Sequence, residues 1–415
     1  MIKKFSNRKG FAKLLLIPAV LIFLAVIVLA THLPEKVGLG PPNQTPLVSG
    51  SNQGVIPNYP PTNYKNILAL NWIPIDWTKT VNSNERDPET NQPYPAITDN
   101  TNLYSAQDIT YCNAGNTPLK LDLYSNKPVV PGQNKPIVIY IFGGGLVDGD
   151  KKYIYADSDR VLLNLVNQGY LIASINYRLA PAFKYPAMIQ DVLCSIRFLR
   201  YYAYGMGGNQ NKIGLLGGSV GGQLDMLAGV TSGVEIWENS KDETIAGANL
   251  SLQDYLKIPT KPQAVVSYYG GGHLPDSLAK VFLAEYMPAP PGMQNGWMDP
   301  YPGGKFWQNK DLLDAVYHSD PTIMHEASAY YYITEGEPPF LIVQGEKDML
   351  STPDQAVDMY SKLKSYNNNV QLVAVKNAGH GFTPSPSDAT IDPKFENIIQ
   401  TTVDFFKSHL SHNAF

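Results

Sequence analysis

Residues 213–222, Ile-Gly-Leu-Leu-Gly-Gly-Ser-Val-Gly-Gly, decide the fold class. The apolar run Ile213–Leu216 is typical of a short strand buried on both faces, and Leu224 and Leu227 predict a helix directly after the glycines. The serine of this G-x-S-x-G pattern, Ser219, therefore lies on a turn between strand and helix. Such a turn strains the serine backbone, and small neighbours leave room for it. We expect Ser219 to be a nucleophile.

Strands and helices alternate on both sides of this turn. An antiparallel pair is expected at Ile109–Cys112 and Leu119–Tyr124, and further strands at Ile137–Ile141, Leu171–Ile175, Ala264–Tyr268, Phe340–Gln344 and Val370–Val375. One helix is expected to begin at Asp157–Asp159, which can cap its N-terminus, and another after Pro186. Two more are expected over Thr352–Ser365 and Glu396–Leu410. This order predicts an α/β fold, a mostly parallel central sheet with helices on both faces.

One segment interrupts the alternation. Residues 271 to about 339 are rich in Pro, Gly and aromatic residues and contain no clear strand. A loop of this length inside a compact domain is usually functional. We expect an inserted cap over the site.

An acid and a base follow two of the predicted strands. Asp348 comes just after Phe340–Gln344, and His380 just after Val370–Val375. Since the carboxyl ends of parallel strands share one edge of the sheet, both should lie near Ser219. A serine hydroxyl needs a base, and that base needs an acid to orient it. We predict a Ser219–His380–Asp348 triad.

A glycine run follows the strand Ile137–Ile141, in the order Phe142-Gly143-Gly144-Gly145. Without side chains in the way, backbone N–H groups can approach a substrate oxyanion. We assign the oxyanion hole to the N–H groups of Gly144, Gly145 and Val220. The alternative is a merely flexible turn.

The motifs together resemble the hormone-sensitive-lipase-like and carbohydrate-esterase branch of the α/β-hydrolases. Asn176–Pro181, Tyr185–Ala187 and Asp191 also match that branch, and the similarity covers about 107–410 outside the cap. The resemblance implies the α/β-hydrolase fold and hydrolysis of carboxylic esters through an acyl-enzyme, with no metal and no organic cofactor. It also suggests an ion pair between Arg178 and Asp191, although both could be solvated charges.

The chain departs from this branch at two positions. Phe142 stands where the branch usually has His, and Gly218 where it often has Asp. The first change concerns how the oxyanion loop is held, and the second removes a possible supporting hydrogen bond. Neither removes a catalytic atom.

The N-terminal residues predict a membrane-directed segment. Basic residues precede an unbroken apolar run from Leu14 to Ala30. Such a run is close to the length needed to span a bilayer, and the basic flank stays in the cytoplasm. Residues 1–30 are therefore an anchor or a cleaved signal peptide. We expect a linker at 31–65, an extension of unknown role at 66–106, and the hydrolase domain at 107–415.

Composition excludes some other classes. The net charge of -4 gives no basic surface for nucleic acid. The two cysteines, Cys112 and Cys194, are interpreted as buried, unpaired apolar residues, and their spacing supports no zinc site. His273, His318 and His325 also lack ligand spacing, and His409 and His412 at the end of the sequence are expected to be solvated.

The sequence thus predicts an extracytoplasmic serine carboxylesterase that acts on short-acyl or sugar esters. The ester is expected to be a small molecule or to be part of a polysaccharide. A peptidase of the same fold and a catalytically silent binding module are the alternatives. Neither the identity of the ester nor an oligomeric state follows from the sequence.

Overall fold

A computed structural model describes residues 70–75, 103–152, 159–234, 243–274 and 321–411, all within the compact unit Gln44–Phe415. The predicted anchor and linker lie outside the described residues, as do most of the N-terminal extension and the central part of the cap. None of the helices in the described ranges has the length and apolar character needed to cross a membrane.

Ten strands form one sheet in the described part of the chain. The strands are β1 Ile73–Ile75, β2 Leu103–Ala114, β3 Thr117–Ser125, β4 Lys135–Ile141, β5 Leu171–Ile175, β6 Gly208–Gly218, β7 Glu243–Ile245, β8 Ala264–Tyr268, β9 Phe340–Gly345 and β10 Val370–Val375. Their order is β1-β2-β3-β5-β4-β6-β8-β9-β10, and β7 pairs with β2. The six strands from β5 to β10 in this order are parallel, whereas β1, β2, β3 and β7 pair antiparallel.

Helices connect these strands and cover the sheet. They are α1 Asp159–Asn167, α2 Ala187–Tyr202, α3 Val220–Val230, α4 Leu252–Leu256, α5 Pro321–Glu326, α6 Pro353–Ser365 and α7 Phe395–Phe406. Short 3-10 segments occur at Ala329–Tyr332 and His380–Phe382, and a π turn at Lys407–Ser411.

Neighbouring residues of β8 show that both faces of the sheet are covered. The Ser267 hydroxyl donates to the carbonyl of Gly222 in α3, whereas Tyr268 shares a hydrogen bond with Thr402 in α7. Consecutive strand residues point to opposite faces, so α3 and α7 lie on opposite sides. The predicted mostly parallel sheet with helices on both faces is confirmed.

The interpretation of the cysteines as unpaired is wrong. Cys112 in β2 and Cys194 in α2 form a disulfide, with 6.4 Å between their Cα atoms. Both are fully buried, as predicted. Their pairing follows from the packing of α2 against β2, which two cysteines 82 residues apart do not reveal in sequence.

The N-terminal border of the sheet also differs from the sequence-based boundary. β2 begins at Leu103, shortly before residue 107, and an irregularity between Ala106 and Ile109 interrupts its pairing with β3. Part of the predicted extension, Ile73–Ile75, adds an antiparallel strand to β2.

Candidate active site

Ser219 lies on a tight turn between β6 and α3. Its backbone has φ 57° and ψ −126°, in a region that non-glycine residues rarely adopt. A Cβ atom on Gly221 would lie 2.1 Å from the carbonyl oxygen of Ile141, so only glycine fits there. The turn expected from G-x-S-x-G is therefore present, and Ser219 stands at the carboxyl end of a central strand.

Three predicted residues meet at this edge of the sheet. The Nε2 atom of His380 lies 2.9 Å from Ser219 Oγ, and its Nδ1 atom lies 2.9 Å from Asp348 Oδ2. Asp348 and His380 are buried, and Ser219 is half-buried. The three side chains thus form one continuous line of hydrogen bonds.

The Asp348 carboxylate is surrounded by donors. Oδ1 accepts from the N–H groups of Leu350 and Ser351, at 2.8 and 3.0 Å, and Oδ2 accepts from Gln344 Nε2 at 3.0 Å. An ionised carboxylate can only accept, so its bond to His380 requires a proton on Nδ1. Nε2 is then free to take the proton of the Ser219 hydroxyl. Sequence reasoning did not identify Gln344, because nothing in its strand pattern sets it apart.

The glycine loop after β4 runs beside Ser219. A Cβ atom on Gly143 would lie 3.3 Å from Ser219 Cβ, and one on Gly144, whose φ is 103°, would lie 2.0 Å from the Asp148 carbonyl oxygen. The N–H of Asp148 closes the loop by donating to the Gly144 carbonyl. Val220 is the first residue of α3, where a backbone N–H has no carbonyl partner within the helix.

Phe142 holds this loop through packing. Its buried ring stacks on Tyr177, with centroids 4.3 Å apart and planes 16° apart. The Tyr177 hydroxyl donates to the carbonyl of Phe142 at 2.9 Å and lies 3.3 Å from that of Gly143. A Cβ atom on Gly149 would lie 2.2 Å from the Phe142 ring. Tyr177 therefore fixes the backbone at the start of the glycine loop.

An ion cluster around a buried lysine fixes the far end of the same loop. The Lys151 ammonium, whose side chain is 2% exposed, lies 2.9 Å from Asp122 and 2.8 Å from Asp108. Burial alone lowers the pKa of Lys151, but the two carboxylates raise it above its usual value. Asn176 adds hydrogen bonds to the backbone of Lys151 and to the Asp150 side chain. Both ends of the loop are thus attached to the sheet.

Arg178 and Asp191 form the expected ion pair. Arg178 Nη2 lies 2.6 Å from Asp191 Oδ1 and 2.9 Å from Glu243 Oε1, and both carboxylates are buried. Burial and the neighbouring Asp191 raise the pKa of Glu243 to about 8, although Arg178 opposes the shift. The alternative, that both are solvated charges, is wrong. Glu243 belongs to the same group of ion pairs, and the sequence did not indicate it.

The described histidines outside the triad have aromatic and acidic neighbours. His273 Nδ1 lies 2.7 Å from Asp358, and its ring stacks on Tyr330 at 4.1 Å. His325 stacks on Tyr331 at 3.5 Å. His409, expected to be solvated, is instead half-buried, with its ring 4.6 Å from that of Phe405. In the ranges that the structure describes, no group of three His, Cys, Asp or Glu side chains is arranged to hold a metal ion.

More than half of this chain matches the model of a known protein family. A model of the BD-FAE family matches residues 121–363, which include β6, Ser219, Asp348 and most of the sheet. The chain belongs to the BD-FAE family. His380 lies outside the matched range.

This BD-FAE-family chain is similar to known esterases. It is 26% identical over 272 residues to esterase LipC of Mycobacterium tuberculosis, a match that covers 65% of this chain and 58% of LipC. The chain thus spans little more than half the length of that relative.

Solved structures share the fold. An esterase of Thermogutta terrifontis with bound propionate has a TM-score of 0.52 and 18% identity, over 74% of this chain and 96% of the other. A truncated carbohydrate esterase from gut microbiota has a TM-score of 0.51 and 23% identity, over the same shares of the two chains. The α/β-hydrolase fold predicted for this chain is confirmed.

Proposed function

We propose that the protein is a carboxylic ester hydrolase that uses Ser219, His380 and Asp348 as its catalytic triad. The observation that carries this proposal is the continuous hydrogen-bonded line of these three side chains at the carboxyl edge of the parallel sheet. The similarity to an esterase supports it.

The reaction follows from the contacts. Ser219 Oγ attacks the ester carbonyl carbon while His380 Nε2 accepts its proton, and Asp348 stabilises the imidazolium that forms. The N–H groups of Gly144, Gly145 and Val220 stabilise the oxyanion. His380 then protonates the alcohol that leaves, and the acyl group remains on Ser219. Water attacks this acyl-enzyme in the same way and releases the acid.

The substrate is proposed from the aromatic content of the cap. Residues 271–339 contain two tryptophans and six tyrosines, and such side chains combine apolar faces with polar atoms that suit sugars or aryl esters. The segment lacks the long aliphatic stretch expected of a lipase lid. We propose short acyl groups, with acetyl to butyryl esters cleaved far faster than dodecanoyl esters.

One experiment tests both the activity and the acyl preference. The full chain and Ser219→Ala are assayed for kcat/KM on a series of p-nitrophenyl esters and for labelling by a fluorophosphonate probe. We expect a maximum at short chains, and at most a few per cent of the activity and no labelling in Ser219→Ala. Ser361→Ala, an exposed serine on α6, is the matched control.

The possible outcomes separate the alternatives. A wild-type chain that is neither labelled nor active would favour a silent binding module. Cleavage of peptides in preference to esters would favour a peptidase. A maximum at long acyl chains would contradict the short-acyl proposal and leave the esterase proposal standing.

We also propose that the hydrolase domain lies outside the cytoplasmic membrane. The basic flank and apolar run in residues 1–30 support this location, as does the disulfide, since disulfides persist mainly in oxidising compartments. Fractionation and protease accessibility of intact cells test the location. Membrane-bound protein that is cleaved from outside supports an anchor, and soluble mature protein beginning near Thr31 supports a cleaved signal.

A further inference from the structure

Among the residues that the structure describes, backbone strain is concentrated around the proposed triad. Eight non-glycine residues in the described ranges have a positive φ, and four of them are Asp or Asn, which tolerate it. The other four are Leu146, Ser219, Tyr269 and Phe382. Leu146 follows the glycine loop, Ser219 is the turn serine, and Phe382 follows His380 by two residues. Tyr269, with φ 40°, is the one of the four that lies outside the glycine loop, the serine turn and the histidine loop.

Tyr269 lies between the serine turn and the histidine loop. It directly follows β8, and its N–H donates to the carbonyl of Val343 in β9 at 2.8 Å. Its half-buried ring makes edge contacts with His380 and with Phe382, both at 4.9 Å between centroids. At its other end, the Tyr269 hydroxyl oxygen is 2.9 Å from the position of a Cβ atom on Gly218.

These contacts restrict a movement of the His380 ring that the triad hydrogen bonds allow. Hydrogen bonds to Asp348 and Ser219 hold the His380 ring at Nδ1 and Nε2, and the ring can still tilt about the bond to Asp348. A tilt moves Nε2 away from Ser219 Oγ, and misplacement by about 1 Å can cost on the order of 100-fold in rate. The Tyr269 ring contacts the imidazole from the side, where it limits this tilt.

We propose that Tyr269 is a positioning residue that keeps the imidazole of His380 aligned with Ser219, and that Gly218 lacks a side chain because the Tyr269 ring occupies that space. This role rests on the proposed hydrolase function. The strained backbone of Tyr269 is maintained because it directs the ring between the two loops.

The first test compares Tyr269→Phe with Tyr269→Leu in the full chain. The measurements are the fluorophosphonate labelling rate, kcat and KM on p-nitrophenyl acetate, and the melting temperature. Tyr269→Phe keeps the ring and should stay within about twofold of wild type. Tyr269→Leu should lose about tenfold in kcat and in labelling rate with KM unchanged, the effect expected when an aromatic contact that aligns the base is lost.

A second pair of variants does not depend on the folding of Tyr269→Leu. In Gly218→Ala, the new methyl group meets the Tyr269 hydroxyl at 2.9 Å and must displace the ring. We expect a similar loss in kcat and labelling. Adding Tyr269→Phe removes that nearest atom, leaving ring carbons at 3.1 and 3.2 Å, and should restore part of the rate.

The outcomes distinguish the positioning role from the proposed function. A wild-type chain that is not labelled overturns the hydrolase proposal, and the role of Tyr269 with it. A labelled wild type with unchanged rates in Tyr269→Leu overturns only the positioning role. If Tyr269→Leu does not fold, a Gly218→Ala variant that labels at the wild-type rate, or is not improved by Tyr269→Phe, overturns the positioning role.

Discussion

At the scale of single residues, Asp348 is held by several donors from outside the proposed triad. Two backbone N–H groups, from Leu350 and Ser351, and the Gln344 amide fix its carboxylate before His380 makes its own bond. The carboxylate is buried, and each oxygen accepts at least one hydrogen bond from outside the triad. Its orientation therefore does not depend on the presence of a substrate.

Replacing this acid should remove most of the activity without unfolding the protein. In Asp348→Asn, an amide nitrogen can face His380 and stabilise the imidazole tautomer that cannot accept the Ser219 proton. By analogy with the known serine protease case, we expect kcat to fall on the order of 10⁴-fold. Steady-state kinetics and a melting curve measure the two effects. Asp354→Asn, an exposed acid on α6, is the control, and greater sensitivity there would refute the assignment of Asp348.

The sequence identified some site residues and not others for a physical reason. Ser219 has a local motif, and His380 and Asp348 follow apolar strands in the order that the fold family uses. Tyr177 lies in a segment that resembles the family, but that segment does not indicate its contact with Phe142, and Tyr269 has no pattern at all. Each acts through contacts with loops far away in the chain, and such contacts exist only after the sheet has assembled.

At the scale of secondary-structure elements, apolar sequence patterns predict the bounds of strands that are buried on both faces. The predicted bounds of Leu171–Ile175 and Ala264–Tyr268 agree with β5 and β8. The three-residue strand β7 was missed, because it exists through its pairing with β2 and carries no pattern of its own. β7 matters since it brings Glu243 to Arg178.

Glu243 should make stability depend on pH. Its pKa is about 8 in the folded protein, above the ordinary value of about 4.3 expected for the unfolded chain. Between these values the folded state holds a proton that the unfolded state has released, so stability falls as pH rises through this window. One proton contributes at most about 1.4 kcal/mol per pH unit.

The change Glu243→Gln removes this titration and keeps an oxygen that can accept from Arg178. The variant should therefore gain stability relative to wild type as pH rises from 5 to 8, with little difference near pH 5. Urea unfolding at several pH values measures this difference. Glu335→Gln, an exposed acid with the same charge change, should show no such trend. Equal trends in both variants would contradict a special role of Glu243.

At the scale of the whole molecule, the disulfide links the first long strand of the sheet to a helix that follows the glycine loop. The chain between Cys112 and Cys194 contains β3, β4, α1 and β5, together with Gly144, Gly145 and Tyr177. One half of the proposed site, the oxyanion loop and its support, thus lies inside the closed segment. Ser219, Asp348 and His380 lie outside it.

Closing a loop of 82 residues should stabilise the fold mainly by restricting the unfolded chain. The chain-entropy relation gives about 4.5 kcal/mol for this length. We expect Cys112→Ala/Cys194→Ala to lose stability of this order while keeping its activity at low temperature, because no catalytic contact involves either cysteine. Urea unfolding should give the same midpoint for the double variant with and without reductant. Wild type equilibrated in urea with reductant should unfold at a midpoint near that of the variant. A wild-type midpoint that does not change with reductant would show that the disulfide does not stabilise the protein.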